Sequence, residues 1–272
     1  MSRVLGDITR GTTNPNRLRR MDRWILHQVC STIRGCDGTA VEPIVVDLGY
    51  GASPITTVEL YERLAKHVRP DVEVVGIEID PTRVEEASSH SKKNLSFNYG
   101  GFEIPLPENK SPIAIRAANV LRQYDESEVR EAWKQMASRL APNGYLVEGT
   151  CDEIGRRSTW VSVRAGESIP ESFSMSAHVA SLEQPSDIAP RLPKALIHRN
   201  VPGEPIFDFL QAFDRAWNQH AGLIPFGARQ RWVSAVETLV DMGYPIWDNK
   251  VRWRLGEVTV PWSVVAPTSY LD

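Results

Sequence analysis

Short apolar runs alternate with amphipathic segments over the first half of the chain. Segments with apolar residues at helical spacing cover 54–68, 81–89 and 126–140. Five short runs between and around them predict strands: IVVDL (44–48), VEVVGIE (72–78), LSFNY (95–99), IAIRAA (113–118) and YLVEGT (145–150). Apolar, β-branched runs of this length are typical of strands buried on both faces of a parallel sheet. The alternation therefore predicts a doubly wound α/β sheet with helices on both faces.

The pattern changes after residue 150. A proline-rich stretch over 183–205 predicts a short helix with loops, and amphipathic segments over 206–221 and 228–243 predict helices. Four further runs predict strands, of which the first two form a hairpin: TWVSV (159–163), SFSMSAHV (172–179), VRWRL (251–255) and VTVPWSVVA (258–266). We expect a mostly parallel sheet of the seven-stranded type, with an α+β cap or insertion after the fifth strand.

Charge is distributed unevenly along the 272 residues. The formal net charge is −3, which disfavours a general polyanion-binding protein. Residues 1–24, however, hold six arginines and two aspartates, a local charge of +4. This arm is interpreted first as the polar face of a helix that covers the sheet, next as a lining of the ligand pocket, and last as a nucleic-acid contact.

Other features of the composition exclude several classes of protein. No run reaches the roughly 18–20 apolar residues of a membrane span, and the polar start does not fit a signal peptide. Cys30 and Cys36 are not at CxxC spacing, and Cys151 lies far away. These observations predict a reduced, cytoplasmic protein without a disulfide framework, a metal site or a membrane partner.

The clearest chemistry lies where the first two predicted strands end. Gly49 and Gly51 permit a tight turn and a close approach of backbone to ligand, and the turn opens a helix with free N–H groups. Glu78 ends the second strand, where a carboxylate can accept hydrogen bonds from the hydroxyls of a ribose. Together these residues indicate a site for a nucleoside.

Two kinds of nucleoside ligand fit such a turn. Dinucleotide sites have a third glycine, whose place is taken here by Pro54. Asp47 precedes the first glycine and would repel a pyrophosphate, whereas it suits a ligand with a sulfonium and an ammonium group. The residues therefore favour S-adenosylmethionine over NAD(P).

Five segments in this order resemble class I S-adenosylmethionine-dependent methyltransferases. The first two correspond to the glycine motif and to the motif whose acid binds the ribose; the others follow strand three, follow strand four and precede strand five. The segments are VVDLGYG (45–51), VVGIEID (74–80), GGFE (100–103), AANVLRQY (117–124) and LAPNGYL (140–146). The resemblance covers about residues 40–150 and implies a Rossmann-like fold with S-adenosyl-L-methionine as cofactor. Asn143 and Ser53 stand where the family often has glycine.

Eight residues follow from the turn and the resemblance as cofactor-binding candidates: Asp47, Gly49, Tyr50, Gly51, Glu78, Ile79, Glu103 and Asn119. Glu103 fits a solvated loop equally well, and Asp80 is expected to cap a helix that begins at Pro81. Methyl transfer from a sulfonium requires alignment more than a general base, so no catalytic residue is assigned. His178, His198 and His220 are candidate bases by position alone.

The resemblance implies three segments and a methyl acceptor. Residues 1–39 form the Arg-rich arm and helix, 40–150 the cofactor-binding core, and 151–272 a substrate-covering insertion together with closing strands of the same sheet. Asn119 is followed by Val-Leu-Arg, not by the N-P-P-Y signature of base-amine methylation. We therefore expect a small-molecule acceptor, with RNA as a further possibility. An NAD(P)-dependent oxidoreductase and a non-catalytic cofactor-binding module remain alternatives, and no oligomeric state is predicted.

Overall fold

The structure is a computed structural model that describes residues 4–8, 13–28, 30, 32 and 43–270. Its strands are β1 (Ile44–Leu48), β2 (Glu73–Glu78), β3 (Leu95–Tyr99), β4 (Ala114–Ala118), β5 (Tyr145–Cys151), β6 (Arg157–Arg164), β7 (Ser172–Ala177) and β8 (Glu257–Pro261). The helices are α1 (Arg19–Gln28), α2 (Ile55–His67), α3 (Pro81–Ser88), α4 (Glu126–Ala137), α5 (Lys194–Ile197), α6 (Pro205–Gln219), α7 (Ala228–Asp241) and α8 (Lys250–Trp253). Short 3-10 turns connect several of them.

All of these strands belong to one sheet, in the order β3-β2-β1-β4-β5-β6-β7-β8. Neighbours from β3 to β5 are parallel, and neighbours from β5 to β8 are antiparallel. The predicted doubly wound, mostly parallel α/β fold is confirmed. The seven-stranded count is wrong by one, because β6, β7 and β8 all extend the sheet beyond β5. Nearly every residue of these three strands is buried, which is why they join the sheet.

Helices cover both faces of the sheet. On one face, Met21 of α1 and Leu64 of α2 share a buried apolar cluster with Val45 of β1. On the other face, Trp133 of α4 belongs to a larger cluster with α6, α7 and Val46. Adjacent strand residues point to opposite faces, so β1 contributes to both clusters. Among the described residues, none of the helices has the length and apolar character needed to span a membrane.

Element boundaries differ from prediction near the C-terminal end. Lys250–Trp253 form a helical turn, not the predicted strand over 251–255, because the Asn249 side chain caps it by accepting a hydrogen bond from Val251 N at 2.9 Å. The strand predicted over 258–266 is confined to β8 and gives way to a 3-10 turn at Trp262–Val264. Asp80 is confirmed as the cap of α3, since its Oδ1 accepts a hydrogen bond from Thr82 N at 2.9 Å.

One edge of the sheet collects the polar ends of strands from both parts. The carboxyl ends of β1, β2, β4 and β5 meet there because these strands are parallel. The antiparallel register adds the end of β7 and the starts of β6 and β8, since Arg157 pairs with Ala177 and Ser176 with Glu257. We call this the carboxyl edge, and ligands of open α/β sheets bind at such an edge.

Candidate functional site

A small cavity lies at the carboxyl edge beside β1 and β2. Its volume is about 20 Å³, room for one water molecule. It is lined by Leu5, Gly6, Asp7, Leu48, Gly49, Glu78, Ile79, Gly100, Gly101, Phe102, Val120 and Tyr124. The cavity thus joins the turn after β1, the end of β2 and the loop after β3 with residues 5–7 from the start of the chain.

The turn after β1 needs glycine at two positions. Gly49 has φ +68° and Gly51 has φ +80°, both in the left-handed region that disfavours other residues. Gly49 N donates to Ile77 O at 2.7 Å, which ties the turn to β2. Gly51 N donates to Oε2 of Glu78 at 2.8 Å. The predicted glycine turn therefore folds directly onto the predicted ribose-binding acid.

Glu78 is held rigidly at the wall of the cavity. Its side chain is buried, and its Oε1 accepts a hydrogen bond from Ile79 N at 3.0 Å while Oε2 accepts the bond from Gly51. Arg83 Nη1 lies 3.7 Å from Oε1. Asp80 N also donates to Oε1, at 3.4 Å. A carboxylate offers about four acceptor positions, so one position remains for a ligand hydroxyl. The carboxylate also places negative charge against the turn, which disfavours a pyrophosphate at this position.

Asp47 is not brought into the cavity. It points to the opposite face, where Arg116 of β4 donates to it at 2.8 and 2.6 Å and Thr57 Oγ1 donates at 2.6 Å. Arg116 also donates to Asp22 of α1, which in turn pairs with Arg63. Burial lowers the pKa of Arg116, but Asp47 and Asp22 together raise it more, so this guanidinium stays charged. The predicted interaction of Asp47 with a positive charge is thus made with Arg116 of the chain itself.

The remaining predicted residues divide between the cavity and its surroundings. Ile79 lines the cavity, whereas the ring of Tyr50 packs against Phe97 with centroids 5.4 Å apart. Asn119 has φ +61° and joins the ends of β4 and β5, because its Oδ1 accepts a hydrogen bond from Cys151 N at 3.0 Å. Neither Tyr50 nor Asn119 is among the residues that line the cavity.

Glu103 contacts the segment that closes the cavity. Its Oε1 accepts a hydrogen bond from Gly101 N at 2.9 Å, and its Oε2 accepts one from Leu5 N at 3.0 Å. Phe102 N donates to Leu5 O at 2.9 Å, so Leu5 is tied to this loop by both of its backbone groups. Glu103 therefore faces the chain's own N-terminal segment, residues 4–8.

The N-terminal segment is also bonded on its other side. Asp7 N donates to the hydroxyl of Tyr124, and Gln123 Nε2 donates to Asp7 O at 3.0 Å. A Cβ added at Gly6 would lie 3.2 Å from the Tyr124 hydroxyl, so the fit is close. The segment fills most of the space beside Glu78, which explains why the cavity is so small.

Sequence reasoning missed the aromatic wall of the cavity. The rings of Phe102 and Tyr124 lie 5.4 Å apart, centroid to centroid, and both line the cavity. Each falls inside a segment that resembles the methyltransferases, so an aromatic residue next to a motif position was the available signal. Residues 5–7 gave no comparable signal, since the arm was interpreted through its arginines.

The arginines of the arm lie elsewhere on the carboxyl edge. Arg17 Nε donates to Asp152 O at 3.0 Å and Arg20 Nε donates to Gly155 O at 2.9 Å, both in the turn between β5 and β6. Arg10 lies outside the described residues, as do Arg3 and Cys36. The first interpretation of the arm agrees with α1, which packs on the sheet. Residues 5–7 line the cavity, as the second interpretation expects of the arm, but none of them is an arginine.

No predicted histidine lines the cavity. His178 and His198 are exposed, and His220 Nε2 contacts Thr238 Oγ1 at 2.7 Å on α7. Within the part of the chain that the structure describes, His, Cys, Asp and Glu side chains form no group of three or more suited to a metal ion.

Comparison with known proteins gives matches among solved structures only. No protein-family model matches the chain, and no curated protein matches it. The chain is similar to magnesium protoporphyrin IX methyltransferase from Synechocystis, solved with bound S-adenosylhomocysteine, at 17% identity, 51% and 62% coverage of the two chains and a TM-score of 0.32. It is similar to N-methyltransferase NodS from Bradyrhizobium japonicum with the same ligand at 21% identity, with 50% of this chain and 63% of NodS covered and a TM-score of 0.34. It is also similar to human N-acetylserotonin methyltransferase with S-adenosylmethionine at 21% identity, with 49% of this chain and 37% of the human chain covered and a TM-score of 0.32.

The chain thus covers less than two thirds of each of these structures, and about half of it is aligned. The structures are methyltransferases of several kinds, which is the family that the motifs resemble, and no particular member is singled out.

Proposed function

We propose that this chain is an S-adenosylmethionine-dependent methyltransferase that acts on a small molecule. The observation that carries the proposal is Glu78, a buried carboxylate at the end of β2 that lines a cavity beside a glycine turn. A carboxylate in this position accepts a hydrogen bond from a ribose hydroxyl. Because it also occupies the amide of Gly51, the turn favours an uncharged or cationic group over a pyrophosphate.

The surrounding residues suit an adenosyl group. Phe102 and Tyr124 provide aromatic faces, Ile79 an apolar side chain, and Gly49 a backbone that a ligand can approach closely. S-Adenosylmethionine supplies the electrophilic methyl group when bound. This chain's residues then have three tasks: they hold the nucleoside, align the acceptor and exclude water.

Binding requires the N-terminal segment to move. A nucleoside does not fit into about 20 Å³, since small-molecule pockets have volumes of roughly 300–1,000 Å³. Residues 5–7 are the cavity lining that can leave without disturbing the sheet, because they are attached through hydrogen bonds to loops. We infer that the segment is displaced as the nucleoside enters.

Asp47, Tyr50 and Asn119 act as positioning residues in this proposal. Asp47 fixes the start of the glycine turn through Arg116 and Thr57. Asn119 holds the ends of β4 and β5 together, and Tyr50 anchors the turn against Phe97. A small-molecule acceptor fits the missing N-P-P-Y signature and the acidic body of the chain.

Calorimetry with S-adenosylhomocysteine, S-adenosylmethionine and NAD(P) tests the proposal. We expect the two adenosyl ligands to bind and NAD(P) not to bind. Glu78→Gln should weaken S-adenosylhomocysteine by about 10- to 100-fold, because hydrogen bonds to a charged acceptor contribute about 1.5–3 kcal/mol. The matched control is Glu85→Gln, an exposed glutamate on α3, which should leave binding unchanged.

Circular dichroism and thermal melting establish that Glu78→Gln remains folded. Saturable NAD(P) binding without any response to S-adenosylhomocysteine would contradict the methyltransferase and support the oxidoreductase. Binding of the cofactor without transfer of a labelled methyl group to a metabolite extract or to RNA would support the non-catalytic module instead.

A further inference from the structure

A second, larger pocket lies on the carboxyl edge in the antiparallel part of the sheet. Its volume is about 550 Å³. The end of β7, the loop before β8, the outer face of α1 and the start of α7 enclose it. Its lining includes Arg20, Arg23, Arg229, Arg254, His178 and Phe226. Four strand spacings of about 4.8 Å separate β7 from β1, so these two strands lie about 19 Å apart in the sheet.

The pocket is strongly basic. Four arginines line it, and none of its lining residues is an aspartate or glutamate. Arg20 Nη1 and Arg23 Nη2 both donate to the same carbonyl oxygen, Leu255 O, at 3.3 and 3.4 Å, so the two guanidinium groups converge. Burial, and after it the charges of Arg19 and Arg23, lowers the pKa of Arg20 to about 10. Positive charge is therefore crowded at this position.

Little negative charge compensates these arginines. Arg229 and Arg254 are exposed and make no ion pair or side-chain hydrogen bond with any residue in the described ranges. The Nε of Arg23 is buried without a hydrogen-bond partner among those residues. Glu257 Oε2 lies 3.9 Å from Arg23, but the carboxylate is already bonded to Arg252. Arg20 is hydrogen-bonded within the chain, so the donors without a partner among the described residues are those of Arg229 and Arg254 and the Nε of Arg23.

Two neighbouring features also favour a ligand that is anionic at one end and apolar at the other. Helix α7 begins after Gly227 with no side-chain cap among the described residues, and the residues of its first turn line the pocket. Phe226 is 75% exposed at the rim, and Val179 and Val233 line the interior. The pocket therefore offers guanidinium groups for an anion and an apolar surface for the rest of a ligand.

We propose that this pocket is a binding site for a small molecule that carries a phosphate group. Guanidinium groups form paired, charge-assisted hydrogen bonds with phosphate oxygens, and several convergent arginines suit a multiply charged anion. A concave pocket of this volume matches a compact ligand, as small-molecule sites do. The site is separate from the cavity at Glu78, and the proposal stands whether or not the chain transfers methyl groups.

The test measures binding of inorganic pyrophosphate by calorimetry at constant ionic strength. We expect saturable binding that the double variant Arg229→Gln/Arg254→Gln weakens by at least about 10-fold, since each charged hydrogen bond contributes about 1.5–3 kcal/mol. The control, Arg215→Gln/Lys134→Gln, removes two positive charges at exposed positions outside the pocket and should leave the affinity unchanged. Binding of S-adenosylhomocysteine should be unaffected in both.

Three results would overturn the proposal. The first is no saturable pyrophosphate binding up to millimolar concentration, or an equal loss in both double variants. The second is tighter binding of citrate than of pyrophosphate, which would indicate a carboxylate ligand. The third is much tighter binding of single-stranded RNA that is lost in the pocket variant alone, which would indicate a polymer.

Discussion

Buried polar groups have different surroundings in the two parts of the sheet. In the parallel part, Asp47 accepts hydrogen bonds from Arg116 and Thr57, and both oxygens of Glu78 accept backbone N–H groups. From β5 onward, one oxygen of Glu148 and one of Glu257 are buried without a hydrogen-bond partner among the described residues. Both oxygens of the buried carboxylates on β1 and β2 are thus hydrogen-bonded, whereas the buried carboxylates on β5 and β8 each have one oxygen without a hydrogen-bond partner among the described residues.

The difference separates two ways of preparing a site. Paired groups fix their own positions, so the glycine turn and Glu78 are already in place before a ligand arrives. An unpaired buried group costs free energy until it loses its charge or gains a partner. Burial raises the pKa of Glu148 to about 8 and that of Glu257 to about 7, which shows the first outcome. In the arginine pocket at Arg23, a bound anion would give the second outcome, because it would supply the missing hydrogen-bond partner.

The largest expected effect comes from breaking the paired network of the parallel part. Arg116→Met leaves Asp22 and Asp47 buried and facing each other without their shared cation. We expect the free energy of unfolding to fall by about 3–5 kcal/mol, the usual cost of removing one partner from a buried ion pair. Urea denaturation at pH 7 measures it.

Arg63→Met is the matched control for this network. Arg63 pairs with Asp22 as well, but its side chain is 24% exposed and Arg116 remains in place. Its loss should cost about 1 kcal/mol. If the two variants lose equal stability, the buried network is not what holds the glycine turn, and the contrast between the two parts of the sheet fails.

The same contrast explains how much of the fold could be predicted. Strands β1 to β7 were located because they are short, apolar runs separated by turns. Helix α8 was missed because VRWRL alternates like a strand, while the cap from Asn249 decides its conformation locally. The run that contains β8 was also predicted as a strand. The expected number of strands in the sheet is nevertheless one too small, because a sequence shows apolar runs without showing which edge of a sheet they extend.

The candidate site was predictable only in its local features. Gly49 stands out because a tight turn after a strand requires a residue with positive φ. Glu78 stands out because a carboxylate at the end of an apolar strand requires hydrogen-bond partners. The partner of Asp47 could not be found this way, since Arg116 lies 69 residues later on β4. Leu5 likewise meets Glu103 across 98 residues. Contacts over such separations depend on strand order, which the sequence does not state.

The second-largest effect is expected at Glu148 on β5, the strand at which the parallel and antiparallel parts of the sheet meet. Burial raises the pKa of Glu148 to about 8, and among the described residues its side chain has one hydrogen-bond donor, Trp133 Nε1 at 3.2 Å. Between the ordinary value of 4.5 and about pH 8, the folded state keeps a proton that the unfolded state has lost. The stability of the natural protein therefore falls as pH rises through this window. Glu148→Gln removes the titration, so its advantage should grow by about 1.4 kcal/mol per pH unit.

Urea denaturation at pH 5, 6, 7 and 8 measures this advantage as the difference between variant and natural protein. Glu108→Gln, an exposed glutamate, serves as control and should show a constant difference across the series. A constant difference for Glu148→Gln as well would mean that burial does not raise the pKa of Glu148. The carboxylate on β5 would then be stabilised as well as the carboxylate of Asp47 on β1, and the comparison would fail.

The smallest expected effect concerns the N-terminal segment, which pairs with groups that a ligand would otherwise use. Deleting residues 1–8 frees Glu103, Tyr124 and the space beside Glu78. Because the segment competes for that space, we expect the affinity for S-adenosylhomocysteine to rise by about 10-fold, equivalent to about 1.4 kcal/mol of competing contacts. Gln123→Ala removes one hydrogen bond to Asp7 without altering the cavity lining, so it should shift affinity the same way by about 2- to 3-fold. If both changes weaken binding instead, the N-terminal segment closes over a bound ligand. The site in the parallel part of the sheet would then also need a ligand to complete its contacts, as the arginine pocket does.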